Sequence, residues 1–209
     1  MKANLIGATG LVGKDILLKL LKLDEFKEVQ VYTRRSTGVK HPKLIESIVD
    51  FEDPSWKKTI SGDVLFSALG STLKKAGSKE AQYRIDHDYQ FETAKAAAMN
   101  GVKNYILVST VGANSKSLFF YLKMRGELED KISTLSFSSI TIVRPGPLMG
   151  EREEPRSSEK FSLGILTKIP KSLLLDSWTP VEASRVASLC VRHALRPAPG
   201  VNIIRARQT

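Results

Sequence analysis

Short apolar runs alternate along the chain with longer stretches whose apolar residues recur every three or four positions. Asn4-Leu5-Ile6 is such a run, ending at Gly7. Residues 15–23 place Ile16, Leu17, Leu20 and Leu21 on one face, with Asp15, Lys19 and Lys22 opposite. This is the stripe of an amphipathic helix. Residues 28–33 alternate polar and apolar and predict a second strand; residues 43–49 predict a third and 63–67 a fourth, the last between Gly62 and Gly70. An alanine-rich helix is expected over about 81–100, closed by Gly101 at its C-terminal cap. Residues 105–108 are continuously apolar, as in a strand covered on both faces. A helix over about 119–135, a strand at 139–143, a helix from Pro180 to about Leu195 and a strand at 201–205 complete the pattern. Regular alternation of strand and helix predicts a doubly wound, mostly parallel α/β sheet with helices on both faces.

The periodicity loosens after Pro145-Gly146-Pro147. Residues 151–159 are charged and contain Pro155, which predicts a loop. Residues 161–175 mix apolar side chains with Lys168 and Lys171 around Pro170, which suits a lid better than a long helix. The expectation is a single domain over 1–209, with 147–195 contributing the substrate pocket or lid.

Composition narrows the class. A content of 42% hydrophobic and 26% charged residues belongs to a soluble globular chain. No run is long enough to span a membrane, and the apolar start is too short for a secretory signal, so cytoplasm is the expected compartment. Cys190 is the only cysteine, which excludes an internal disulfide and a thiolate metal cluster. His41, His87 and His193 share no ligand spacing with carboxylates, so no metal is expected. The net charge of +10 favours acidic partners, including a phosphorylated cofactor. Its lysines and arginines are dispersed, without a basic tail, zinc-finger spacing or stacking aromatic motif, and nucleic acid is not expected as a ligand.

The chemistry begins at Gly7-Ala8-Thr9-Gly10-Leu11-Val12-Gly13, three glycines between a strand and a helix. One glycine permits a sharp turn, another lets backbone approach a phosphate, and the third lets helix and strand pack closely. The helix N-terminus then presents unpaired N–H groups to an anion. In this context the motif predicts a Rossmann dinucleotide site. Thr33-Arg34-Arg35 follows the second strand, where a carboxylate would bind the ribose hydroxyls of NAD(H). Two arginines there predict NADP(H) in preference to NAD(H), because guanidinium pairs with phosphate oxygens.

These segments, with Ala68-Leu69-Gly70-Ser71-Thr72, Val108-Ser109-Thr110-Val111-Gly112-Ala113, Tyr121-Leu122-Lys123-Met124-Arg125-Gly126-Glu127 and Arg144-Pro145-Gly146, occur in one order. Together they resemble the atypical short-chain dehydrogenase/reductases, in particular the branch of the Tat-interacting oxidoreductase. The resemblance implies Ser109 and Tyr121 as the catalytic pair, with Thr110 as an alternative hydroxyl near the cofactor; the sequence leaves open which of the two hydroxyls points inward. It also implies that Ala68, Leu69, Gly70 and Ser71 line the cofactor groove and that Asp50 and Phe51 flank the adenine. Pro145, Gly146 and Leu148 would lie beside the nicotinamide. The family motif carries lysine four residues after the tyrosine, where this chain has Arg125. Arginine at i+4 can approach the ribose from the same helix face, although its planar fork does not replace a lysine conservatively. Asp86, in Arg84-Ile85-Asp86-His87-Asp88, is either polar support for the site or part of a solvated face.

The implied function is an NADP(H)-dependent oxidoreductase acting on a small carbonyl or alcohol. The alternative is a non-catalytic NADP(H)-binding regulator working through a protein partner, and homodimerisation is open in either case. Weak peripheral association of residues 161–175 with an anionic membrane is a third reading.

Overall fold

The computed structural model describes residues 1–149 and 179–206. Strands β1 (Lys2–Ile6), β2 (Glu28–Thr33), β3 (Leu44–Ile48), β4 (Val64–Ser67), β5 (Asn104–Val108), β6 (Ser139–Pro145) and β9 (Gly200–Ala206) form one sheet. Its order is β3-β2-β1-β4-β5-β6-β9, with every neighbouring pair parallel. The order reverses between β1 and β4, so the C-terminal ends of these strands open a crevice at the switch point of a Rossmann sheet. A separate short parallel pair joins β7 (Leu148–Met149) to β8 (Val181–Glu182).

Strand parity divides the core in two. Ala3, Leu5, Val29, Val31, Val64, Phe66, Ile106 and Val108 face α1 (Leu11–Lys22) and α6 (Ala183–Leu195), where Ile16, Leu17, Leu20, Val186 and Cys190 close one layer. Ile6, Tyr32, Leu65, Tyr105, Leu107 and Ile142 face the other side, against Ala94 and Ala97 of α4 (Tyr89–Met99) and Leu128 and Ile132 of α5 (Phe120–Ile132). Burial on both faces is why the central strands read as apolar runs.

The long helix expected over 81–100 begins earlier and is interrupted. Ser78 caps α3 (Lys79–Tyr83), after short α2 (Leu73–Ala76), by accepting from Ala81 N at 3.1 Å. Residues Arg84–Asp88 then form one wide π turn before α4, with Tyr89 N donating to Arg84 O. Gly101, at φ +85°, ends α4 in the left-handed conformation that glycine adopts without strain. The proposed loop at 151–159, the lid segment at 161–175 and Trp178 lie outside the described residues.

Candidate cofactor-binding and active site

At the end of β1 the chain turns at Gly7 with φ +86°, where a Cβ would overlap the backbone of Ala68 after β4. Gly10 N donates to Gly7 O at 2.9 Å, closing the turn, and Gly10 caps α1. A side chain at Gly13 would overlap Gly7 O, so glycine sets how closely α1 approaches the turn. Thr9 and Gly10 are exposed while Ala8, Val12 and Gly13 are buried; Leu11 is half-buried. The cradle therefore presents backbone to the crevice at the start of a twelve-residue helix, and it fits a dinucleotide pyrophosphate.

Arg34 and Arg35 are exposed and make no ion pair among the described residues. Thr33 is buried beneath them, its Oγ1 donating to Arg35 O at 2.8 Å, which shapes the turn that projects the pair. Asp50 is exposed, and its Oδ1 accepts from Glu52 N. Phe51, the other expected neighbour of the adenine, is largely buried. It is 3% exposed and packs on Trp56 and Tyr89 at centroid distances of 5.3 Å. That aromatic cluster extends through Trp56 to Tyr32, so the ring belongs to the core under the groove.

After β4, Ala68 and Leu69 are half-buried and Gly70 is exposed. Ser71 N donates to Asp86 Oδ1 at 2.6 Å, tying this loop to the π turn. Asp86 is thereby a buried support, and its backbone oxygen accepts from Gln90 Nε2 and from Arg125 Nη1.

Arg125 departs from the sequence expectation. Its side chain is buried, with Nη1 reaching Asp86 O at 3.2 Å and Nη2 donating to Val108 O at the end of β5. The guanidinium clamps the π turn to the sheet, in place of the expected approach to a ribose. A planar fork can bridge two carbonyls at once, and it does so here with no carboxylate partner among the described residues.

Ser109 follows the parity of Tyr105 and Leu107 onto the α5 side, and its hydroxyl donates to Glu129 Oε1. Glu129 is buried and also accepts from Arg144 Nε at 3.1 Å on both carboxylate oxygens. Thr110 is half-buried, and among the described residues its Oγ1 reaches only Val111 O, at 3.4 Å. Tyr121 stands half-exposed in the first turn of α5. Pro145 and Gly146 are buried, and Leu148 packs partly against the α1/α6 layer.

The Glu129–Arg144 pair has no counterpart in the sequence reading. Its signal was a glutamate on the buried face of α5, one residue from Leu128 and three from Ile132. No cluster of three or more metal-ligating side chains occurs among the described residues.

The HIM1 family model matches residues 42–176. Protein FMP52-1, mitochondrial, of Scheffersomyces stipitis is 38% identical over 200 residues, covering 93% of this chain and 88% of that protein. The chain belongs to the HIM1 family. Another relative of this HIM1-family chain, Protein FMP52, mitochondrial, of Candida albicans, is 36% identical over 97% of the chain and 90% of its own length. Among solved structures, MoeE5 in complex with UDP-glucose and NAD is 12% identical with a TM-score of 0.76, covering 100% of this chain and 76% of that one. The Thermus thermophilus UDP-glucose 4-epimerase complex with NAD is 16% identical with a TM-score of 0.74, covering 100% and 78%. At such identities the structural likeness establishes the Rossmann fold. The word mitochondrial in the relatives' names overturns the cytoplasmic expectation for this HIM1-family chain. That expectation tested only for a long apolar segment, which mitochondrial targeting does not require.

Proposed function

We propose that this chain is a mitochondrial NADP(H)-dependent oxidoreductase of the atypical short-chain dehydrogenase/reductase type, acting on a small carbonyl or alcohol. The observation that carries the reading is the exposed Arg34–Arg35 pair beside the glycine cradle, free of any carboxylate partner among the described residues. A guanidinium so placed suits a 2′-phosphate better than a pair of ribose hydroxyls. Bound NADP(H) supplies or accepts the hydride. Tyr121 exchanges the proton at the substrate oxygen. Thr110 holds that oxygen, since the proton of Ser109 is engaged by Glu129. Leu148–Met149 and Val181–Glu182, paired as β7 and β8, are the described part of the substrate pocket.

Calorimetric titration with NADPH and NADH tests the cofactor site. Wild type is expected to bind NADPH more tightly, and Arg34→Ala/Arg35→Ala to lose about 10- to 100-fold of NADPH affinity with NADH little affected. Equal affinity for the two nucleotides in wild type overturns the assignment.

One observation favours a second reading, a regulator that binds NADP(H) without turnover. Arg125 is committed to two backbone carbonyls, which draws it away from the ribose-orienting role of the family motif's lysine. Tyr121→Phe separates the two. It abolishes turnover in the first case, whereas in the second it leaves nucleotide-dependent partner binding unchanged.

A further inference from the structure

The C-terminal halves of α1 and α6 run side by side toward the N-terminal edge of the sheet, away from the glycine cradle. Between them lies a hollow of about 610 Å³. Its floor is apolar, formed by Leu23, Val191 and Leu195. Its rims are cationic, with Lys19 and Lys22 on α1 and Arg192 and Arg196 along and just past α6. Among the described residues, none of these four cations has an ion pair and no acidic side chain lines the hollow. Asp24, the adjacent acid, pairs with Lys43 at 3.5 Å. A second hollow of about 290 Å³ shares Ser188 and Arg192 with the first and extends it to Arg185. The combined trough follows α6 for roughly 16 Å at 1.5 Å per residue.

Cations at helix C-termini complement the helix dipoles, which accounts for their sign. The dipoles do not account for an apolar floor that no described residue covers between two charged rails. A bilayer plane would meet the rims and leave this recessed floor uncovered. A nucleic-acid backbone would supply phosphates but nothing apolar to fill it. A small anion would satisfy one rail. The complement of both rails and floor is an extended ligand with carboxylates on its two flanks and apolar side chains between them.

We propose that the α1/α6 trough is a docking site for an acidic amphipathic segment of a protein partner. The carboxylates would pair with Lys19 and Lys22 on one side and with Arg192 and Arg196 on the other. The apolar residues would fill the Leu23–Val191–Leu195 floor.

The test is fluorescence anisotropy with a labelled helical peptide of about 14 residues, roughly the trough's length. It carries leucines on one face and glutamates on both flanks. The expected result is saturable binding that weakens about tenfold or more in both Lys19→Glu/Lys22→Glu and Arg192→Glu/Arg196→Glu. Replacing the peptide's leucines by serine should weaken it comparably. Circular dichroism melting verifies that each variant is folded, and the corresponding glutamine variants serve wherever a charge reversal is not. Absence of binding at low salt overturns the proposal, as does equal binding of the leucine-free peptide. Tighter binding of anionic vesicles or duplex DNA, lost in the same variants, assigns the trough to those ligands and also overturns it.

Discussion

Ser109 and Thr110 are adjacent hydroxyls at the end of β5, and their surroundings differ. Ser109 lies 6% exposed with its hydroxyl donating to Glu129, while Thr110 is half-buried with a weak local contact. Thr110→Ala is therefore expected to lower kcat/KM of the proposed reaction by about 100-fold. Ser109→Ala should act mainly on stability, by about 1 kcal/mol for one lost hydrogen bond. Steady-state kinetics and denaturant melts on both variants check the split, and a larger kinetic loss in Ser109→Ala would reverse the assignment. Glu129→Gln leaves Arg144 without its counter-charge in a largely buried position. It should cost about 3 kcal/mol in urea unfolding. Glu52 accepts from Arg84 Nη2 at 2.8 Å and from Tyr89 Oη at 2.5 Å. Hydrogen bonds from Arg84 and then Tyr89 hold its carboxyl down at about 2. A depressed folded-state value stabilises fully above the ordinary carboxylate range, and that contribution disappears as pH falls toward 2. The melting-temperature gap between wild type and Glu52→Gln should accordingly be present at pH 7 and close between pH 4.5 and 2.

Two helices are set by glycines at which any Cβ would strike backbone. Gly126 lies inside α5 against the chain at Asn114 and Ser115, and Asn114 N donates to Leu122 O at 3.0 Å across the same crossing. Helix propensity favours alanine at such a position by about 1 kcal/mol. The overlap with Asn114 and Ser115 outweighs that preference, so Gly126→Ala is expected to destabilise by about 1–3 kcal/mol. That corresponds to a drop of roughly 2–12 °C in melting temperature for a chain of this size. An unchanged or raised melting temperature would show that the loop yields. The π turn at Arg84–Asp88 belongs to the same scale. Its sequence, Arg-Ile-Asp-His-Asp, has neither proline nor glycine to mark a break. The widening accompanies two donors, Gln90 Nε2 and Arg125 Nη1, on the oxygen of Asp86. One of them arrives from a helix 39 residues away in sequence, so periodicity alone predicted an unbroken helix.

Across the molecule, α6 follows residues 150–178 in sequence and packs beside α1 over β5 and β6. Cys190 sits within it at 0% exposure, and burial pushes its thiol up to about 12. Such a thiol is inert until the layer opens. Its reaction with a disulfide reagent should be negligible in native buffer and should follow the global unfolding transition in guanidinium. Rapid native labelling would mean that α6 detaches on its own.

The strands, their parallel winding and the glycine cradle were legible because they rest on local rules: apolar runs, a 3.6-residue stripe and three glycines at fixed spacing. The basic pair after β2 was legible for the same reason, since the end of a strand places it beside the cradle. The direction of a side chain at a crossing was not legible. Arg125, Ser109 and Phe51 all lie in segments that the sequence placed correctly. Their partners, Val108 O and Asp86 O, Glu129, and Trp56 with Tyr89, come from other elements. A linear pattern records which face of an element is apolar. It does not record which buried donor finds which acceptor, because that depends on distances fixed only when the layers pack.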